Sequence, residues 1–403
     1  MKYRTLTRVL ALIVVLALFA ACGPAATTTT PETPTPPADV TDVDAQEVHI
    51  GLLAPLTGPV AYFGTSVYQG FQIFFDEYNA RGGLQIRYTI FDEEGDPANA
   101  VIGYNHLVDQ GVTAIIGSVT SGPTLAVVPL SYEDGMPMIT ATSTAAAVTV
   151  NAATGQVWSN MFRSCFIDPF QGIRMADFAV EELEATTAAV LYSNDIDYSI
   201  GLMEAFVARA AEIGLDIVHV EQFVDVAVDL SGQLTNIAAH NPDVVFFPAY
   251  IRHVALMAPQ AQDVGLDAVI LGADGWTGAR AQLEDPSVLE RAYFLTGFSV
   301  ESNDPFVQGF IANYTARWGL APNMFAAQAY DAAMILMAAI EKALDDGYEP
   351  GTAEFKAATI RHMAATDIVG VTGHITYDEF NNPQKTAFIV GIYEGEYNFW
   401  GTW

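Results

Sequence analysis

Ala114-Ile-Ile-Gly-Ser-Val-Thr-Ser-Gly-Pro-Thr124 and, past a short helix, Met136-Pro-Met-Ile-Thr-Ala-Thr-Ser-Thr144 are two short apolar runs that each stop in hydroxyl residues. A parallel strand that ends in Gly, Ser and Thr before a helix delivers polar groups to the carboxyl edge of its sheet, where open α/β folds bind ligands. The stretch therefore reads as an anion cradle. The same Ser and Thr side chains would equally serve as helix caps.

Working outward, Val48–Leu53, Ile86–Phe91, Ala114–Ile116 and Met138–Thr140 read as strands, separated by helices that carry Val67, Phe71, Phe74, Phe75 and Tyr78, then residues 99–110, then 123–132. Such alternation predicts a parallel sheet with right-handed crossovers. Asn160 to Gln171 has neither a helical nor a strand period and reads as the first crossing between lobes. A second alternating set follows, with strands at 188–192, 217–223, 244–247 and 269–271 and helices at 172–184, 201–213, 230–240 and 254–264. A further strand is expected at Tyr293–Phe298. The helices at 305–318, 325–344 and 352–363 exceed what the second lobe needs and return the chain to the first. Gly370–Tyr377 and Ala387–Tyr393 read as strands of one terminal hairpin that makes a third crossing. The expected fold is α/β, two doubly wound parallel-sheet lobes on a three-crossing hinge. The lobes would comprise residues 46–164 with 298–371, and 165–297 with 372–403.

The amino terminus is separate. Lys2, Arg4 and Arg8 precede thirteen apolar or small residues that end at Ala20-Ala21-Cys22, the pattern of a signal peptide over residues 1–21 with lipidation of Cys22. Residues 22–45 are rich in Pro, Thr, Ala and Asp. They cannot bury enough apolar area to offset ordering and read as an extended linker. Cys165 is the only other cysteine, so no intramolecular disulfide partner remains and Cys165 reads as a small buried hydrophobe.

The balance of 47 acids against 16 bases gives a net charge of −31, and loss of residues 1–21 would make it −34. That field repels phosphate backbones and argues against nucleic-acid partners. The 51% hydrophobic content is not gathered into internal runs of membrane-spanning length. No Gly-x-Ser-x-Gly elbow, phosphate loop or His-Glu-x-x-His helix is present, and the seven histidines are scattered. Neither catalysis, a metal nor a cofactor is expected. Polar residues do gather at strand ends in both halves: Ser121, Thr142 and Thr144 in one, Tyr198, Tyr250 and Asp274 in the other. Hydroxyls and amides at a helix start suit a carboxylate, and Asp274 suits an ammonium group. Asp274 would alternatively form an Asx turn before Gly275.

These residues resemble the periplasmic leucine/isoleucine/valine-binding proteins that serve ATP-driven importers. The likeness is carried over Val48–Tyr393 by Gly51-Leu-Leu-Ala-Pro-Leu-Thr-Gly-Pro59, Asn79-Ala-Arg-Gly-Gly83, Ile116-Gly-Ser-Val-Thr-Ser-Gly122, Met138-Ile-Thr-Ala-Thr-Ser-Thr144, Asp197-Tyr-Ser-Ile-Gly201 and Ile270-Leu-Gly-Ala-Asp-Gly275. The resemblance implies that Ser121, Thr142 and Thr144 hold a ligand carboxylate and Asp274 its ammonium, with Tyr198 and Tyr250 closing from the second lobe. Phe63 and Trp276 stand at positions that shape the side-chain pocket, and both differ from the usual residues. Thr120 occupies one position of a first-lobe disulfide found in some relatives. The implied function is an extracytoplasmic, lipid-anchored, monomeric binder of a branched-chain or other apolar amino acid that delivers it to ABC permease subunits. A sensory ligand-binding module, or a binder of an amide, urea or an aromatic acid, fits the same motifs.

Overall fold

The computed structural model describes residues 46–402. The expected signal segment, the linker and Cys22 lie outside the described residues. The chain opens with β1 (Glu47–Ala54), α1 (Ala61–Asn79), β2 (Gln85–Asp92), α2 (Pro97–Asp109), β3 (Ala114–Gly117), α3 (Ser121–Glu133), β4 (Met138–Thr140) and β5 (Met161–Arg163). These strands form one sheet in the order β2-β1-β3-β4-β5, parallel at every pair. β3 and β4 are buried at every residue, which is why they read as unbroken apolar runs and not as alternating ones.

The second set comprises α4 (Asp168–Glu181), β6 (Thr187–Ser193), α5 (Asp197–Ile213), β7 (Asp216–Phe223), α6 (Ser231–Ala238), β8 (Val244–Phe246), α7 (Ile251–Asp263), β9 (Val269–Leu271) and β10 (Tyr293–Thr296). Then come α8 (Pro305–Trp318), α9 (Met324–Asp345), α10 (Ala353–Ala364), β11 (Asp367–Gly370), β12 (Gly373–Thr376), β13 (Phe388–Tyr393) and β14 (Glu396–Thr402). The second sheet runs β14-β13-β10-β9-β8-β6-β7, with β13 and β14 antiparallel additions to a parallel core. α9 lies on α1 of the first lobe. The Phe74 and Tyr330 rings meet edge-on at 5.2 Å, and the Tyr78 hydroxyl donates to Glu341 at 2.6 Å. The chain thus passes between the two sheets after β5, after β10 and after β12.

Two sequence expectations need correction. The stretch 160–171 is not all irregular, since it holds β5 and the start of α4. β5 is a three-residue edge strand whose last residue, Arg163, is wholly buried and donates to the carbonyls of Ser143 and Ala145, so neither length nor polarity announced it. Gly370–Tyr377 and Ala387–Tyr393 do not pair with each other. Gly373–Thr376 folds back on Asp367–Gly370, whereas β13 pairs with β10 and β14. Period-two alternation marks a strand but does not choose its partner. The turn from β13 to β14 has positive φ at both Glu394 (54°) and Gly395 (71°), a hairpin geometry that a leading Glu conceals.

Candidate functional site

The helices differ in how their first turns are capped. α2, α8, α9 and α10 have side-chain caps from Asp96, Asp304, Asn323 and Thr352. α3, like α1, α4, α5, α6 and α7, has none: Thr120 stands at its N-cap position without a side-chain capping bond, so the positive end of the helix dipole meets no side-chain cap, and the Ser121 amide is within hydrogen-bonding reach of the Tyr250 hydroxyl. Ser121 opens this helix, is buried, and accepts from the Ala145 amide at 3.3 Å. Thr142 is fixed by donation to the Val119 carbonyl (2.7 Å), and the Thr144 carbonyl accepts from the Asp168 amide (2.9 Å).

The opposing wall comes from the second lobe. After β9, the sequence Gly272-Ala-Asp-Gly-Trp276 makes a single 3-10 turn that carries Asp274. Its Oδ1 accepts from the Tyr198 hydroxyl at 2.7 Å, and its amide donates to Gln171 Oε1 at 2.9 Å. The Gly275 amide donates to the same Tyr198 oxygen at 2.8 Å, and a Cβ at Gly275 would sit only 2.8 Å from it. Glycine is therefore required for this close approach. Tyr198 and Tyr250 stack at 4.7 Å with 14° between their planes, and Phe63 of the first lobe meets Tyr250 at 5.5 Å and Phe325 at 4.8 Å.

A narrow cavity of about 10 Å³ lies between Thr142, Thr144, Tyr198, Tyr250, Asp274 and Phe63, with Phe325 behind them. It has room for roughly one water, so a larger ligand reaches these groups only when the lobes part. Burial raises the Asp274 carboxyl to about 6, against the lowering effect of Tyr198, Gln171 and the Gly275 amide. Burial likewise raises both tyrosines well above their ordinary values.

The structure gathers Thr142, Thr144, Tyr198, Tyr250, Asp274 and Phe63 around this cavity, with Ser121 beside it next to Thr120 and Tyr250, but not Trp276. Its indole N–H donates to the Phe247 carbonyl at 2.9 Å, and its ring covers Gly272 between Phe247 and Phe294, in the second lobe's core. A 3-10 turn rotates successive side chains by about 120°, so residues two apart cannot share a face. Conversely, sequence reading missed Asp168. It opens α4 and is wholly buried, with no cation bonded to its carboxylate among the described residues; burial raises its carboxyl well above normal, Asp274 adding to the rise and the Thr144 hydroxyl opposing it. The only available signal was the Asp-Pro pair at a helix start, which suggests a helix boundary and nothing more. Cys165 is buried and free, its thiol pushed up to about 12 by burial.

Two α/β lobes whose strand ends converge on one cleft, with anion-directed amides on one side and an acid on the other, define a ligand-binding protein of the two-lobed type. The chain belongs to the periplasmic binding protein family, whose model matches residues 47–396. It is 29% identical to the Leu/Ile/Val-binding protein BraC3 of Rhizobium johnstonii over 85% of this chain and 90% of that protein. Among solved structures it resembles the leucine-binding protein LivK of Thermotoga maritima, with 29% identity, a TM-score of 0.80 and coverage of 88% of this chain and 98% of the other. The branched-chain amino acid transporter substrate-binding protein LivJ of Streptococcus pneumoniae, in complex with isoleucine, gives 27%, 0.79, 89% and 99%. Membership puts the chain among extracytoplasmic binding proteins and not in an enzyme family.

Proposed function

We propose that this chain is the substrate-binding component of an ABC importer and closes on an apolar amino acid, with leucine, isoleucine and valine as the first candidates. One observation carries the reading: a buried acid, Asp274, faces an uncapped helix start at Ser121 across a cleft lined by Phe63, Tyr250 and Phe325. The α-carboxylate would lie on the Ser121, Thr142 and Thr144 side, the ammonium on Asp274, and the apolar side chain among the rings. Contacts to both lobes favour the closed form, which the permease subunits would receive. The lobe boundaries at 164/165 and 297/298 and the lipid tether at Cys22 belong to the same reading; the third boundary, expected at 371/372, moves past β12 because β12 pairs with β11.

Calorimetric titration with the twenty amino acids is the test. Heat from leucine, isoleucine or valine supports the reading. Silence from all twenty, with binding of amides, urea or an aromatic acid instead, overturns the ligand class. Ser121→Ala should weaken amino-acid binding by about 1 kcal/mol, because neighbouring amides share the carboxylate. The same titration checks it.

A further inference from the structure

β2 ends in Asp92 and Glu93 follows directly, and the two acids behave oppositely. Asp92 braces a turn: its carboxylate accepts from the Leu56 amide (2.8 Å), the Thr57 hydroxyl (2.8 Å) and the Glu94 amide (3.1 Å). Burial acts to raise its carboxyl, but these bonds prevail and hold it below normal. Glu93 is fully buried and has no cation paired to it among the described residues. Its Oε2 accepts from the Gly95 amide at 2.6 Å, and its Oε1 accepts from the Ser118 hydroxyl at 2.5 Å.

Ser118 leads directly to the carboxylate side of the cleft. Its carbonyl accepts from the Thr140 hydroxyl (2.6 Å), and that oxygen accepts in turn from the amides of Thr142 (3.3 Å) and Ser143 (3.1 Å). On its other flank the loop runs close against β1. Gly117 has φ +132°, and a Cβ there would lie 2.1 Å from the Leu53 carbonyl oxygen. Glu93 is thus linked through two side chains to the residues proposed to hold the ligand's carboxylate.

We propose that Glu93 is a positioning residue and proton-linked switch beneath the carboxylate half of the cleft. Protonated, it holds Ser118 as a neutral hydrogen-bonding partner; ionised, it sets a negative charge behind the groups that receive the ligand's own carboxylate, and binding weakens. The inference rests on the amino-acid reading of the cleft. Burial raises the Glu93 carboxyl to about 7 and Asp92 adds to the rise, while Ser118 and the Gly95 amide oppose it. The carboxyl ends of β1, β3 and β4 and the first turn of α3 carry no charged residue. Asp92, Glu94 and Asp96 share its loop, and Asp195, Asp197, Asp225, Arg252 and His253 lie across the cleft mouth. Burial lowers His253, so it is neutral above its ordinary range and adds nothing on the alkaline side.

The test is the leucine dissociation constant of the full chain, measured by calorimetry from pH 6.5 to 8.5. Wild type should weaken by about fivefold across this range, within the limit of one proton released. Glu93→Gln, which keeps the shape and both hydrogen-bonding positions, should bind as wild type does at pH 6.5 and lose the alkaline decline. Glu93→Ala should bind more weakly at every pH. An alkaline decline that persists unchanged in Glu93→Gln overturns the inference and leaves the ligand reading intact. If wild type ignores all twenty amino acids, the ligand reading falls, and titration of the Glu93 carboxyl itself, assigned by ¹³C NMR against Glu93→Gln, decides. A midpoint above 5.5 supports the switch, and one below 5.5 overturns it.

Discussion

Asp274→Ala should weaken amino-acid binding by at least tenfold and toward a hundredfold at pH 7.5, about 1.4–3 kcal/mol. The carboxylate is buried, fixed by the Tyr198 hydroxyl, and shares its surroundings with a second buried acid, Asp168. A bound ammonium group would be the natural cation of this site, and without Asp274 it would be desolvated opposite a partly neutral wall. Asp274→Asn separates charge from shape. It keeps an acceptor for Tyr198, so it should retain the fold and lose nearly as much affinity as the alanine variant. The pH dependence has a definite sign. With the folded carboxyl raised to about 6, the acid is ionised above that pH and neutral below it, so affinity in Glu93→Gln, which lacks the opposing titration near 7, should fall as pH drops from 7 to 5. For stability of the ligand-free chain the sign is opposite. A carboxyl raised on folding contributes most below its unfolded value, and that contribution is lost as pH rises through about 6. Calorimetry at three pH values checks the first, urea unfolding the second. Affinity unchanged in Asp274→Ala would mean that the ammonium site lies elsewhere.

The second large effect is on the hinge. Asp331, in α9 of the first lobe, is completely buried, and its carboxylate accepts from the amides of Val371 (2.7 Å) and Thr372 (2.9 Å) and from the Thr372 hydroxyl. Lys385, between β12 and β13 where the chain crosses to the second sheet, has a side chain only 3% exposed; its Nζ lies 3.9 Å from Asp331 and donates to the Thr372 hydroxyl. Burial outweighs their mutual attraction, raising the Asp331 carboxyl and lowering the Lys385 ammonium. A pair of this kind adds modestly to stability, but deleting one member leaves the other buried without compensation. Asp331→Ala should therefore cost about 3–5 kcal/mol in urea unfolding. Exchanging both residues for apolar ones of similar size should cost much less. If the single and double variants prove equal, the pair is not coupled.

Much of the fold was legible because β3 and β4 are unbroken apolar runs punctuated by Gly and Pro, and because helices alternate with them. Legibility failed where burial and polarity part company. Arg163 hides a strand, Glu93 and Asp168 look like ordinary surface acids, and β14 carries no buried face to betray it. At the site, sequence order placed Ser121, Thr142, Thr144 and Asp274, since strand ends are marked by composition. It could not tell that Asp274 faces the cleft while Trp276, two residues later, faces the core. That distinction depends on the rotation per residue of one short turn, which composition does not encode.

The terminal hairpin also bears on how copies of this chain behave in company. β14 ends its sheet, and Tyr397, Phe399 and Trp400 are about 40% exposed along it. An aromatic edge strand is a template for pairing with a neighbouring molecule unless something holds that neighbour off. A formal charge of −31 does so at a distance, and its reach contracts from about 10 Å at 0.1 M salt to about 3 Å at 1 M. The acidity that identifies no substrate is therefore a colloidal property, which keeps an adhesive edge dispersed in dilute salt and loses that hold in brine.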